Sequence, residues 1–159
     1  MAEGKLEPEI IQSEIDLLAA AMHIDRYLMD AMNRLDDEYS ELNSIALLTY
    51  NQLSKIKHRL NKKILSEKKS PSDELTSNVE NNILCNMQME DEDGTPKSKL
   101  QKLCYCCHGS LDYYEAIAEK SVDEAIKSTA QGLVSSARER NDLLRQALGV
   151  ECGCDLSCL

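Results

Sequence analysis

From Glu9 to Ser66 the chain carries neither glycine nor proline. Nothing in that stretch forces the backbone out of a helix, and no other feature constrains the fold as strongly. Steps of three and four residues then give Ile11, Glu14, Leu18, Ala21, Asp25, Leu28, Met32, Leu35, Tyr39, Leu42, Ala46, Thr49, Leu53, Ile56 and Leu60. Most of these are apolar, which is the spacing of a coiled-coil seam. The pattern predicts one long helix over 8–66, opened by Pro8 in its first turn. The polar run 33–41 is its weak point, because Asp36 or Asp37 is suited to cap a new helix there. A second apolar row, Ile10, Leu17, Ile24 and Ala31, widens the face of the first half. A face that wide needs more than one neighbouring helix.

Residues 67–96 interrupt the pattern. They hold Ser70-Pro71, Thr95-Pro96 and the acidic run 90–93, with no sustained period. This composition reads as a flexible acidic linker. Ser70 and Thr95 precede prolines, and Ser72 precedes Asp73-Glu74, so all three are phosphorylation candidates. Helical spacing resumes over 97–148, with a break or kink expected at Gly109-Ser110. Leu111, Val122, Leu133 and Leu144 recur every eleven residues, the period of a nearly straight helix. The expected organisation is therefore an N-terminal tail at 1–7, helix 8–66, linker 67–96, returning helix 97–148 and a Cys-rich tail at 149–159. The expected fold is all-α: an elongated antiparallel helical hairpin or coiled-coil bundle. The alternative is a compact up-down four-helix bundle with breaks near 36 and 109.

The chain has no Phe and no Trp. Large aromatics dominate small-molecule pockets and globular cores, so their absence favours helices meeting along seams of Leu, Ile, Ala and Met. A net charge of −10 argues against nucleic acid as a partner. No apolar run is long enough for a transmembrane span. The N-terminus lacks a signal pattern, so seven cysteines point to reduced thiols in a cytoplasmic or nuclear protein. Charge is segregated: residues 42–66 contain five Lys or Arg and no acid. Macrodipole preference accounts for bases near a helix C-terminus, and a docking site for an acidic partner is the sharper reading.

Two cysteine clusters carry the remaining chemistry. Cys104, Cys107 and His108 fall at i, i+3 and i+4, on one helical face. They supply three of the four ligands that zinc requires, so a second segment or a second chain would have to complete the site. In the tail, Cys152, Cys154 and Cys158 are S-acylation candidates, whereas a prenylation box would need cysteine where Leu156 stands. No nucleophile motif, phosphate loop or Glu-x-x-His pair is present.

The reading that accounts for most of the chain is a non-enzymatic helical scaffold or adaptor, binding other helical proteins or itself. Its expected interaction seam is Ile11, Leu18, Leu28, Leu35, Leu42, Leu53 and Leu60 on one arm, with Leu111, Val122, Leu133 and Leu144 on the other. No resident cofactor is expected on that reading. A thiol- or zinc-binding helical protein is the first alternative. A peripheral membrane protein, in contact with lipid only through an acylated tail, is the second.

Overall fold

The computed structural model describes residues 11–75, 78–79 and 95–148, and within them the secondary structure is all-α. Helix α1 spans Glu14–Leu35, α2 Leu42–Glu67, α3 Pro96–Lys120 and α4 Glu124–Leu148.

The expected start at Pro8 is corrected, because Ile11 and Gln12 are not helical and Ser13 is the cap. Its Oγ accepts the Asp16 N–H at 3.2 Å, and Asp16 Oδ2 accepts the Gln12 N–H at 3.1 Å. This nearly reciprocal arrangement satisfies one of the amides that a helix start leaves unpaired and ties down the residue before the cap. The single helix over 8–66 is also corrected. It breaks at 36–41, where Tyr39 and Glu38 donate their N–H groups to Leu35 O and end α1. The ladder stays in phase across the turn, since both Leu35 and Leu42 are buried.

The second break lies elsewhere than expected. Gly109 and Ser110 sit inside α3, with Ser110 Oγ donating to Cys107 O at 2.8 Å. The chain turns instead at 121–123. Asp123 Oδ1 accepts the N–H groups of Ala125 at 2.9 Å and Ile126 at 3.1 Å, a side-chain cap for α4. A short polar turn with a strong cap can end a helix without glycine. Val122 stands at the tip, 96 % exposed, and so does not belong to the seam. Leu111 is only half-buried, whereas Leu133 and Leu144 are in the core.

Contacts between the helices fix the topology. Glu14 meets Thr129 and Asp25 meets Arg140, both across 115 residues, so α1 and α4 run parallel. Arg59 meets Thr129 and Gln52 meets Ser136, so α2 is antiparallel to α4. Glu115 meets Arg138 and Cys107 meets Asn141, so α3 is antiparallel to α4 as well. The order is up-down-down-up: the chain forms the four-helix bundle of the alternative, with its second break at 121–123 and not near 109. Each hairpin is closed by a short turn, and one long crossover joins them. The end of α2 and the start of α3 lie at opposite ends of the bundle, a height of roughly 37 Å at 1.5 Å per residue of α3. Part of this connection is core rather than a loosely draped linker: Leu75 and Val79 are fully buried against the helices.

The core is aliphatic, as the composition implies. Ile15, Leu17, Leu18, Ile24, Leu28 and Met32 of α1 are at most 1 % exposed. Burying such a side chain contributes about 1.5–3 kcal/mol. The wide apolar face of α1 is accounted for, because α1 packs against α2, α3 and α4.

Candidate functional site

The cysteine cluster of α3 is set into the packing. Cys104 and Cys107 are fully buried, as is Cys106 beside them. His108 points outward, with Nε2 3.5 Å from Asp112 Oδ2 one turn on. The two thiols and the imidazole therefore occupy different environments. Among the described residues, no three His, Cys, Asp or Glu side chains converge as a metal ion would require. The candidate acylation sites Cys152, Cys154 and Cys158 lie outside the described residues, as do tail 1–7 and tail 149–159.

The most concentrated polar chemistry is at mid-height. Arg140 of α4 is 1 % exposed and is among the largest fully buried side chains of the described residues. Its Nη1 lies 3.2 Å from Asp25 Oδ1 on α1, and its Nη2 donates to Ser110 Oγ on α3 at 3.3 Å. Asn141 Nδ2 donates to Cys107 O at 3.4 Å, adding a second polar link from α4 to α3. One guanidinium thus ties three helices. Burial pushes the Asp25 carboxyl up, and the facing Arg140 charge offsets part of that rise. Burial opposes the Arg140 charge too, but Asp25, Cys107 and Tyr114 outweigh it and hold the guanidinium protonated. Tyr114 lies beside the pair, and burial, reinforced by Asp25, pushes its phenol well up. Among the described residues Tyr114 OH and Arg140 Nε have no hydrogen-bond partner. A buried ion pair of this kind contributes little net stability but penalises any packing that separates its members.

A second polar cluster closes the end where α1 and α4 begin. Glu14 accepts from Thr129 Oγ1 at 2.6 Å, pairs with Arg59, and lies 2.9 Å from Lys63 Nζ. Arg59 also donates to Thr129 Oγ1 at 2.9 Å. Burial raises the Glu14 carboxyl, but Thr129, Lys63 and Arg59 together more than reverse it and leave it below its ordinary value.

These clusters carried a signal in the sequence. Asp25 and Glu14 occupy rungs of the apolar ladder, and Arg140 stands on the row Leu133, Ala137, Leu144. A charge on each of two apolar rows marks a buried pair, a juxtaposition that spacing within one helix does not reveal.

The seam residues Ile11, Leu18, Leu28, Leu35, Leu42, Leu53 and Leu60 are all buried within this chain. Facing outward instead is the opposite side of α2. Leu47 is 61 % exposed, Tyr50 53 % and Leu65 79 %. Leu47 and Leu65 stand five turns apart on one line, about 27 Å. Lys55, Lys57, His58 and Lys62 are exposed between them.

Of the phosphorylation candidates, Ser70 and Thr95 are exposed and Ser72 is half-buried. Thr95 is also the cap of α3, accepting the Ser98 N–H at 3.1 Å, with Pro96 in the first turn. No helix among the described residues is long and apolar enough to cross a membrane. No protein-family model matches the chain, and no curated protein or solved structure matches it.

Proposed function

We propose that this chain is a non-enzymatic helical adaptor whose binding surface is the outward face of α2, and that its partner presents an acidic amphipathic helix. The leucine and alanine seams are consumed inside the bundle, so binding falls to exposed side chains. The observation that carries this reading is the line Leu47–Leu65, apolar at both ends and flanked by the exposed Lys55, Lys57 and Lys62, on a chain of net charge −10. Exposed leucines supply burial, and the flanking lysines supply sign selectivity. A second copy of the chain is a poor occupant, because two such faces repel. On this reading the protein works in the cytoplasm or nucleus, where its thiols stay reduced.

The test is affinity purification of the intact chain beside a Leu47→Asp/Leu65→Asp variant of equal melting temperature. Each partner identified is then reconstituted from purified protein. The expected result is a stoichiometric partner with an acidic helical segment, lost in the variant and weakened by salt. Identical partner sets for both forms would refute the proposal.

A further inference from the structure

We propose that Ser72 is a phosphorylation site and that its modification unlatches the crossover from the bundle. Ser72 is followed by Asp73 and Glu74, both exposed, the acidic context that an acidophilic kinase reads. The chemistry is ordinary phosphoryl transfer from ATP. Ser72 Oγ attacks the γ-phosphorus, the bond to the bridging oxygen breaks, ADP leaves and the hydroxyl proton passes to the kinase's base.

What makes this serine consequential is its position in the fold. Its backbone N–H donates to Asp16 Oδ1 at 2.8 Å, the contact that fastens the start of the crossover to the first turn of α1. Asp16 cannot swing aside, since its other oxygen is tied to Gln12 N and the residue is 6 % exposed. Among the described residues no Lys or Arg forms an ion pair with Asp16, in contrast to Glu14 two positions earlier. Three and seven residues past the latch, Leu75 and Val79 are buried in the core.

A phosphoserine carries a charge of about −1.5 to −2 at neutral pH and disrupts where it faces a carboxylate. Placed on Ser72, that charge sits one side chain from the very amide that Asp16 holds. Either the N–H contact or the dianion's position must yield, and the anchored pair Leu75 and Val79 is the next contact to be lost. Ser70, exposed and two residues earlier, offers no such lever.

The full chain is incubated with ATP and an acidophilic Ser/Thr kinase, the phosphate is located by tandem mass spectrometry, and amide hydrogen exchange is compared before and after. Phosphate is expected on Ser72, absent in Ser72→Ala, with exchange over 72–79 accelerated at least about tenfold and α1 and α4 unchanged. Ser72→Glu should reproduce part of the acceleration. In an Asp16→Asn background the Ser72 N–H keeps an acceptor without the charge while the Gln12 N–H loses its own, so exchange measured against the unphosphorylated variant should be accelerated several-fold less by phosphorylation. Phosphate confined to Ser70 or Thr95 would overturn the proposal. So would unchanged or slower exchange, the latter meaning that Lys63, Lys68 or Lys69 captures the dianion.

Discussion

Asp25 on α1 and Arg140 on α4 meet at 3.2 Å with almost no exposed surface on either, and Arg140 also reaches Ser110 on α3. The pair fixes the register between the two hairpins. Sliding α4 by one turn against α1 would leave a carboxylate and a guanidinium buried apart.

Asp25→Ala should therefore cost about 3–5 kcal/mol in urea denaturation, because it leaves the buried Arg140 guanidinium without the oxygen that accepts from it, which a protonated Asp25 still supplies. Replacing both members together, Asp25→Leu with Arg140→Met, should recover most of that loss. A double variant as unstable as the single one would show that the pair adds stability rather than register.

Acid should act on the two carboxylates with opposite sign. Glu14 is held below its ordinary value, so its contribution is present above the usual carboxylate range and is lost as pH falls through its lowered value. Asp25 is raised by burial, so its protonation favours the folded state and its contribution grows as pH falls. Glu14→Gln should lower stability by about 1–2 kcal/mol at pH 7. That difference should vanish in acid, when denaturation midpoints are compared between pH 7 and pH 2.5.

Two backbone positions should be improvable. A Cβ built on Gly109 meets nothing within 4 Å, and the residue lies mid-helix in α3. Gly109→Ala should add about 0.5–1 kcal/mol. Lys68 ends α2 in the left-handed region with φ 55°, donating its N–H to Ile64 O at 2.8 Å. Glycine is the residue suited to that conformation, so Lys68→Gly should add a similar amount in thermal unfolding.

Val122 and Leu144 share an eleven-residue row but not an environment. Val122→Asn should change stability by less than about 0.5 kcal/mol. Leu144→Ala should cost about 2–5 kcal/mol, since that side chain is fully buried.

The same contrast shows what was legible in the sequence. The helical class and the ladder of α1 and α2 were written as spacing, a local property, whereas the turn after Leu35 showed only as the polar run 33–41 within a ladder that keeps its phase. The turn at 121–123 was not, because Leu111, Val122, Leu133 and Leu144 stay in phase across it by coincidence of number. Gly109 drew attention that belonged to Asp123. A helix tolerates one glycine at a cost of about 1 kcal/mol, so glycine alone is weaker punctuation than a capped polar turn. The up-down-down-up order lay further out of reach, since it depends on which end of the bundle the crossover reaches. Of the polar clusters, their members stood out as charges on apolar rows, while their partners emerged only with the helices in place. The apolar ladder was the expected surface, and it is the interior.

Because α1 and α4 run side by side in the same direction, Ile11 and Leu148 sit at opposite poles of the bundle. Tension applied between those two points does not peel one helix from the next. It drags α1 and α4 past each other lengthwise, so the Glu14–Thr129 and Asp25–Arg140 contacts are strained together rather than in turn. Mechanically the bundle is a shear joint, and it holds whatever is attached at its two poles apart by about the length of a helix.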